Sequence, residues 1–470
     1  MHRIAIIQFP GSNCEYETRR AVQAAGMEGV FVRWNEDAHE VRKFDAYILP
    51  GGFSYEDRVR SGAIAARDPI MDVIKGEAEK GKPMLGICNG AQILVEAGII
   101  PGINSHGRGV LPYAPTIQGA LSANNHGWLN IWVSIINEGA PGKTPFNNYP
   151  KDHHFRLPIA HGEGRFVIPK DTLKQLIANG QTVFRYCDEH GAVKNEFPVN
   201  PNGAVDNLAG ICNPAGNVLA LMPHPERVKE GRVIFESLRE YLERHTPRPF
   251  KAPLSRGESP PTEGSPRQNG VGVGSCELEE YVAPENALEL FIDLVITDNE
   301  AVTLEQALRR MGFENVKVAK KTHWEIMIHP PLGSPLTRGE NTHQGSPPNK
   351  GEMKERVLII RKLIASGELL NTNKEVPFLR ADATWYGYRD HALQEIPALL
   401  EPARKNILVR HADDYEGVGK LKTLRVLGFG ELQSVKKGVV WHIEISTEDW
   451  EKFQKTNILF NPYSQTAFFL

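Results

Sequence analysis

The sequence predicts an α/β domain with a mostly parallel sheet, followed by a duplicated small α+β region. Short apolar strands alternate with helical segments over residues 1–247, which is typical of a parallel sheet with helices on both faces. Residues 248–280 are rich in Pro, Gly and Ser and are expected to form a disordered linker. Residues 281–470 contain an internal repeat.

Composition and charge exclude several classes of protein. The chain has 470 residues, 41% of them apolar, and a formal net charge of −3, so we expect two or three domains and no binding to nucleic acid or to a membrane. Its five cysteines are scattered and form no CxxC pair, which argues against a disulfide scaffold and against a metal site built on thiolates. No apolar run approaches the roughly 20 residues needed to cross a membrane, so a cytoplasmic protein is expected.

The first domain alternates strands and helices in a regular order. The predicted strands are "RIAIIQF", "GVFVRW", "FDAYILPGG", "PMLGIC" and "GNVLALMP". The predicted helices include "NCEYETRRAVQAAG", "DPIMDVIKGEAEKG", "NGAQILVEAG" and a closing "GRVIFESLREYLERH". Strands of continuous apolar residues indicate a sheet that is covered on both faces.

The second region contains two similar copies. Residues 291–328 align with 407–445, with Gly312-Phe313 matching Gly428-Phe429 and Trp324 matching Trp441. Each copy reads strand, helix, strand, strand, then a second helix, and the two copies are expected to pack their sheet faces on each other. The predicted segments are a first repeat at 281–380 with a low-complexity insert at 332–352, a connector at 381–406, and a second repeat at 407–470.

A single cysteine stands where a strand becomes a helix. In "LGICNGAQ", Gly86 and Gly90 flank Cys88, a pattern typical of a sharp turn that exposes its middle residue. The start of the helix favours a thiolate over a thiol, and the N–H of Asn89 points to where an oxyanion would form. From this motif alone, a structural cysteine and a nucleophile are equally good interpretations.

A distant motif favours the nucleophile. In "LALMPHPERV", His224 and Glu226 follow a predicted buried strand, and in an extended segment their side chains would project to the same side. A thiolate nucleophile needs such a proton shuttle and a group that orients it. The turn "PGGFS" follows another strand, and the N–H groups of residues 51–53 are expected to offer a second oxyanion donor.

With these residues assembled, the first domain resembles the class I, triad-type glutamine amidotransferases, which have a flavodoxin-like sheet. More narrowly, it resembles the glutaminase subunits (PurQ) of phosphoribosylformylglycinamidine synthase. The phrases that carry the resemblance are "QFPGSNCEYET", "PGGFSYEDRVRSGAIAA", "LGICNGAQIL", "PIAHGEGRF" and "MPHPER".

The resemblance implies a role for each matching residue. Cys88 would attack the side-chain amide of L-glutamine, His224 would move the proton, and Glu226 would hold the imidazole in the correct tautomer. The other implied positions are Gly52 and Asn89 as oxyanion donors and Gln92 as a glutamine-binding residue.

The second half is similar to PurS, the small non-catalytic subunit of the same synthase, which works as a dimer. The chain contains no Walker motif, kinase signature or acidic metal cluster. The resemblance therefore implies a separate large synthetase subunit (PurL-like) as partner. That partner would carry ATP and Mg²⁺, receive ammonia, and convert formylglycinamide ribonucleotide to formylglycinamidine ribonucleotide, with no cofactor in this chain.

Other functions stay open on the sequence alone. The first domain is also compatible with a class I amidotransferase-like cysteine hydrolase, although such proteins typically lack the His-x-Glu that follows the last core strand here. A catalytically silent assembly scaffold is a further alternative. For the second half, the rival hypothesis is a regulatory module that binds a small molecule.

Overall fold

The computed structural model describes most of the chain, in nine stretches. These are residues 1–102, 119–245, 278–285, 287–328, 350–371, 374–381, 384–389, 392–400 and 404–470. Nearly all of the predicted linker and of the low-complexity insert lie outside the described residues. Within them, none of the helices combines the length and apolar character that crossing a membrane requires.

The described chain forms two compact units. Of the described residues, those within 1–277, 306–314 and 447–464 form the first unit, and those within 278–305, 315–446 and 465–470 form the second. The strands up to residue 245 are β1 (Arg3–Gln8), β2 (Glu28–Arg33), β3 (Ala46–Leu49), β4 (Met84–Ile87), β5 (Ala120–Ala123), β6 (Leu129–Asn137), β7 (His154–His161), β8 (Glu163–Val167), β9 (Thr182–Cys187), β10 (Leu208–Cys212) and β11 (Val218–Leu221). The helices in the same range are α1 (Glu15–Ala24), α2 (Ala38–Val41), α3 (Pro69–Glu79), α4 (Asn89–Glu96), α5 (Lys170–Ala178) and α6 (Arg232–Arg244).

The main sheet of the first unit has a parallel half and an antiparallel half. Its nine strands run in the order β2-β1-β3-β4-β11-β10-β9-β6-β7. Neighbours from β2 to β11 pair parallel, and the pairs from β11 to β7 are antiparallel. All residues of β3, β4 and β11 are buried, which confirms the continuous apolar strands predicted for a covered sheet.

Parallel pairing places several loops at one edge of this sheet. Strands β1, β3, β4 and β11 are parallel neighbours, so their carboxyl ends meet. The segments that follow them are "FPGSNC", "PGGFS", "CNGAQ" and "MPHPER". The fold therefore brings together the motifs that the sequence spreads over more than 200 residues.

The remaining elements complete the chain. The strands are β12 (Glu279–Glu280), β13 (Ala287–Leu294), β14 (Lys317–Ile328), β15 (Glu375–Ala381), β16 (Thr384–Arg389), β17 (Ala392–Ile396), β18 (Lys405–His411), β19 (Leu432–Glu444) and β20 (Gln465–Phe469). The helices are α7 (Asn299–Arg310), α8 (Lys350–Ser366), α9 (Tyr415–Val426) and α10 (Thr447–Lys455). These strands form one sheet in the order β12-β20-β18-β19-β14-β13-β15-β16-β17.

The two repeats join through their longest strands. β14 and β19 pair antiparallel from Lys317 opposite Glu444 to Ile328 opposite Leu432, and each stands where the sequence suggests two consecutive strands. Trp324 lies opposite Lys437 and Trp441 opposite Lys320, with ammonium-to-ring distances of 5.8 and 5.9 Å that suit cation–π contacts. The expectation that the copies pack sheet face on sheet face is wrong, because edge pairing of these long strands makes one continuous sheet.

The predicted connector also belongs to the sheet. Its residues include β16 and β17, which pair antiparallel from Trp385 opposite Ile396 to Arg389 opposite Ala392 and extend the sheet beyond β15. The apolar core of the second unit includes Ile360 and Ile364 of α8 and Leu424 of α9.

Residues 447–464 are part of the first unit and hold the loop after β3. Arg60 pairs with Glu96 at the end of α4, with an Nη2–Oε2 distance of 2.5 Å. Its Nη1 donates to the carbonyl oxygen of Ile458 at 2.8 Å, and Nδ2 of Asn461 donates to Glu96 Oε1 at 3.0 Å. The buried guanidinium and carboxylate thus gain the hydrogen bonds that offset their desolvation.

Candidate active site

Cys88 occupies the sharp turn that its glycine neighbours predict. It lies between β4 and α4 with φ 50° and ψ −105°, a conformation that is strained for a residue with a Cβ and is found mainly at functional sites. A Cβ at Gly90 would lie 1.9 Å from the carbonyl oxygen of Leu49, and one at Gly86 would lie 2.6 Å from that of Gly90. Both positions therefore require glycine, and the sharp turn predicted at Cys88 is confirmed.

His224 and Glu226 form a buried pair. Nδ1 of His224 lies 2.6 Å from Oε1 of Glu226, and the side chains are 1% and 0% exposed. The predicted proximity is confirmed, but the extended segment is not, because Pro225–Arg227 form a short 3-10 turn. The backbone N–H of His224 donates to the carbonyl oxygen of Pro158 in β7 at 2.9 Å, which anchors the turn to the sheet.

The surroundings of His224 favour its charged form. Burial lowers the pKa of the imidazole, but the negative charges of Glu226 and of a Cys88 thiolate outweigh this effect and hold the pKa well above its usual value. Within the described residues, Nε2 of His224 has no hydrogen-bond partner. His224 and Cys88 line the same cavity, so this nitrogen is available to exchange a proton with a reacting group.

Cys88 lies where two lobes of a cavity meet, each of about 180 Å³. Both lobes are lined by Gly52, Phe53, Cys88, Trp128 and Ala160. One lobe adds Asp57, Ser61, Gln92, His161, Gly162 and Glu163, and the other adds Asn13, His224 and Arg227. We call them the acidic lobe and the histidine lobe.

The predicted oxyanion positions flank the nucleophile. Asn89 is the first residue of α4, where backbone N–H groups lack intrahelical acceptors, and Gly52 lines the cavity beside Cys88. A Cβ at Gly52 would lie 2.8 Å from the backbone nitrogen of Asn13, so glycine is required there. The expectation that residue 53 offers a donor is wrong, because the N–H of Phe53 donates to Gly11 at 2.9 Å.

Gln92 lies one helical turn beyond the nucleophile and lines the acidic lobe. Its Nε2 donates to the carbonyl oxygen of Glu163 at 2.5 Å, and its Oε1 accepts from Nδ2 of Asn89 at 2.9 Å. The side-chain amide is therefore fixed by the protein at the wall of the cavity.

Sequence reasoning missed Cys14 and Arg227. Nη2 of Arg227 donates to Sγ of Cys14 at 3.0 Å, and Cys14, His224 and Glu226 each place one potential metal-ligand atom within 4.8 Å of the others. The guanidinium brings positive charge to this point and opposes a bound cation. The sequence could have indicated Cys14 through its position, since "GSNC" follows β1 at the carboxyl edge of the sheet, where ligands bind in such folds.

His161 was also missed as an individual residue. It ends β7, and burial, followed by the charge of His224, lowers the pKa of its imidazole to about 3. Nδ1 lies 3.1 Å from Nδ2 of Asn124, which can only donate, so the proton of this neutral ring sits on Nε2. Among the described residues this Nε2 has no partner, and it forms part of the wall of the acidic lobe.

Comparison with known proteins decides the family. Residues 1–238 match the family of CobB/CobQ-like glutamine amidotransferase domains. The chain belongs to this family. Among curated members, it is 44% identical over 269 residues to phosphoribosylformylglycinamidine synthase subunit PurQ of Methanothrix thermoacetophila, with 51% of this chain and 98% of the relative covered. PurQ of Aquifex aeolicus is 42% identical over 231 residues, with coverage of 48% and 92%.

Among solved structures, the structure of PurLQS from Thermotoga maritima contains a similar chain. It is 36% identical, covers 51% of this chain and 99% of that one, and gives a TM-score of 0.41. The matching share is about half of the chain in each comparison.

Proposed function

We propose that this amidotransferase is the glutaminase subunit of phosphoribosylformylglycinamidine synthase. It hydrolyses L-glutamine and passes ammonia to a separate synthetase subunit, which converts formylglycinamide ribonucleotide to formylglycinamidine ribonucleotide. The proposal depends on one observation: Cys88 lines the same cavity as His224, whose Nδ1 is paired with Glu226 and whose Nε2 has no hydrogen-bond partner among the described residues. The identity of 40–44% to PurQ proteins supports the same reaction.

The first half-reaction forms a thioester. The Cys88 thiolate attacks the carboxamide carbon of glutamine while its proton resides on Nε2 of His224. The carbonyl oxygen becomes an oxyanion, which the N–H groups of Gly52 and Asn89 stabilise. When the tetrahedral intermediate collapses, the C–N bond breaks, the leaving nitrogen takes the proton from His224, and ammonia departs from a γ-glutamyl thioester.

The second half-reaction releases glutamate. Neutral His224 accepts a proton from water, which attacks the thioester carbon, and the C–S bond breaks to return the Cys88 thiolate. Glu226 fixes Nδ1 of His224 as the donor to its carboxylate, so that Nε2 always faces the reacting group, and it stabilises the imidazolium. Gln92 helps to bind the substrate at the wall of the acidic lobe.

We propose that the second half of the chain is a PurS-like assembly adaptor. Two copies of one α+β design that pair through β14 and β19 would reproduce a dimer of small subunits within one polypeptide. All cysteines in the described part of the chain, at positions 14, 88, 187 and 212, belong to the first unit. ATP and Mg²⁺ would be carried by the synthetase partner, which the adaptor would help to recruit.

The experiment that tests this function compares two nitrogen sources. We expect Cys88→Ala to abolish glutamine-dependent amidation of formylglycinamide ribonucleotide in the complex with the synthetase subunit, and ammonia-dependent amidation to survive. The matched control is Cys212→Ala, which removes another buried thiol of the same unit. Retained glutamine-dependent activity in Cys88→Ala would contradict the proposal, as would loss of both activities.

A further inference from the structure

We propose that Arg310, at the end of α7, is a positioning residue for the oxyanion donor Gly52. It acts through residues 51–59, the segment that follows β3, which we call the Gly52 loop. This inference rests on the proposed glutaminase function. It adds that a side chain from the duplicated half of the chain sets the geometry of the active site in the first half.

Arg310 lies in a socket made of two aromatic rings and a buried carboxylate. Its guanidinium carbon lies 5.3 Å from the ring centroid of Trp34 and 5.4 Å from that of Tyr55, distances that suit cation–π contacts. Its Nε donates to Oδ1 of Asp68 at 3.3 Å. The hydroxyl of Tyr55 donates to the other oxygen of Asp68 at 2.5 Å. All four residues belong to the first unit, so Arg310 is part of its packing.

The socket stabilises a strained stretch of the Gly52 loop. Tyr55, Glu56 and Asp57 have φ values of 53°, 58° and 53°, which is a left-handed run that costs energy at each residue other than glycine. Such a run persists only where surrounding contacts fix it. The side chain of Tyr55 is fixed by Asp68 and by Arg310, so loss of the guanidinium would weaken this restraint.

The Gly52 loop connects the socket to both predicted oxyanion donors. Gly52 stands three residues before Tyr55 in this loop. Between them, the backbone N–H of Ser54 donates to Oδ1 of Asn89 at 3.0 Å, and Asn89 is the other predicted donor. A displacement of Tyr55 would therefore disturb the alignment of both donors, and small misplacements at a reacting centre lower rates strongly.

The second copy of the repeat shows that the α+β design does not itself need Arg310. When Gly312 is matched with Gly428, the residue that corresponds to Arg310 is Val426. Helices α7 and α9 end at these matching positions, and Val426 is 87% exposed. The guanidinium of the first copy thus contributes to the socket and not to the fold of a copy.

A second segment of the duplicated half supports the other oxyanion donor. Helix α4 begins at Asn89 and ends at Glu96, whose Oε1 accepts from Nδ2 of Asn461 at 3.0 Å. Arg60, which directly follows the Gly52 loop, donates to the carbonyl oxygen of Ile458 at 2.8 Å. Residues from beyond the linker therefore hold both supports of the oxyanion hole, the Gly52 loop and α4.

The test compares two reactions of Cys88 that differ in their need for an oxyanion hole. Glutamine hydrolysis passes through an oxyanion, whereas iodoacetamide forms an S–C bond and expels iodide without one. The full chain is isolated in complex with the synthetase subunit. Glutamate release at saturating glutamine and the rate of Cys88 alkylation, followed by peptide mass spectrometry, are then measured. The ratio of these two rates reports the oxyanion hole independently of the folded fraction.

Arg310→Met keeps an unbranched side chain that suits a helix and removes the guanidinium. We expect it to lower the ratio of glutamate release to alkylation about ten- to a hundredfold, no more than the loss of a whole oxyanion donor costs. Arg310→Lys keeps the charge beside Asp68 but loses the planar stacking, so it should lower the ratio less. The control is Arg309→Met, which changes the adjacent, exposed arginine and should leave the ratio unchanged.

The outcomes separate this inference from the proposed function. An unchanged ratio in Arg310→Met, an equal fall in Arg309→Met, or failure of Arg310→Met to assemble with the synthetase subunit would overturn the positioning role. The glutaminase function would stand in each case if the wild type hydrolyses glutamine. A wild-type complex that is alkylated at Cys88 but releases no glutamate would instead contradict the glutaminase function, and the positioning role with it.

Discussion

Each compact unit contains a buried histidine–glutamate pair, but the two pairs hold protons in opposite ways. Nδ1 of His224 lies 2.6 Å from Glu226, and Nε2 of His323 lies 2.9 Å from Glu289. Both imidazoles are almost fully buried. The pKa of His224 is nevertheless raised well above its usual value, whereas that of His323 is lowered.

The neighbours of each pair explain the difference. Burial lowers the pKa of His323, the hydrogen bond and charge of Glu289 do not fully compensate, and the charge of Arg410 lowers the pKa further. Nη2 of Arg410 lies 3.4 Å from Nδ1 of His323, so both ring nitrogens have partners and a cation lies nearby. A histidine–carboxylate pair becomes a proton shuttle when one ring nitrogen is free and a thiolate lies nearby.

The largest effect is expected from neutralising each glutamate in turn. Glu226→Gln should lower glutaminase activity about 10²- to 10⁴-fold, because an amide neither fixes the tautomer nor stabilises the imidazolium. Glu289→Gln is the matched change in the other pair and should leave the rate per folded molecule unchanged. The measurement is glutamate release in the complex with the synthetase subunit. Equal losses in both variants would break the comparison.

The change Glu289→Gln should also lower the free energy of unfolding of the second unit. Glu289 is 2% exposed and bonds to both His323 and Arg380. Glu289→Gln leaves the guanidinium without its carboxylate and should cost about 3–5 kcal/mol of unfolding free energy. Urea unfolding followed by tryptophan fluorescence measures it, since Trp324 and Trp385 belong to the cores of this unit. A cost below about 1 kcal/mol would show that the pair is replaceable.

The free energy of unfolding should depend on pH in opposite directions for the two histidines, His323 and His224. Below about pH 6.5, His323 takes up a proton in the unfolded chain but stays neutral in the folded protein. The free energy of unfolding that His323 contributes is therefore lost as pH falls, by at most ~1.4 kcal/mol per pH unit. Folded His224 keeps a proton that unfolded chains release above about pH 6.5, so its contribution is lost as pH rises through the raised pKa. Urea unfolding of His323→Gln and His224→Gln across this range should show each slope disappear. Unchanged slopes would contradict the assigned protonation states.

The smallest effect concerns the thiol behind His224. The sulfur of Cys14 accepts a hydrogen bond from Arg227 and lies close to His224. We therefore expect Cys14→Ser to lower the kcat/KM for glutamine by less than about tenfold, which is the free energy of one pKa unit. Cys212→Ser is the control, because burial raises the pKa of this thiol to about 12 and it lies outside the cavity lining. A hundredfold loss in Cys14→Ser would show that this thiol takes part in the chemistry.

Much of the fold follows from sequence because its signals are local. The apolar runs of β3, β4 and β11 predict the parallel core. The glycines around Cys88 predict the sharp turn at this residue. The antiparallel half was not separated from it, because a short strand such as β10 reads the same in either direction. The edge pairing of β14 with β19 depends on register between distant strands, which periodicity within one copy does not encode.

In the candidate site, too, some residues could be predicted from local sequence and others could not. Cys88, His224 and Glu226 stand in short motifs whose chemistry is visible in the letters. Asp57 and Glu163 reach the cavity through a left-handed run after β3 and through the link from β7 to β8. A carboxylate in such a loop, or at the first residue of a strand, looks like an ordinary surface residue until the backbone shows whether it faces inward.

The central claim is that Cys88, activated by the His224 pair, carries the glutamyl group. Acid quenching of the complex with glutamine, formylglycinamide ribonucleotide and ATP, followed by peptide mass spectrometry, tests it most directly. We predict a γ-glutamyl adduct on the peptide that contains Cys88, with a larger trapped fraction in Glu226→Gln if hydrolysis slows more than thioester formation. An adduct on Cys14, or turnover with no adduct on any cysteine in either protein, would contradict the account.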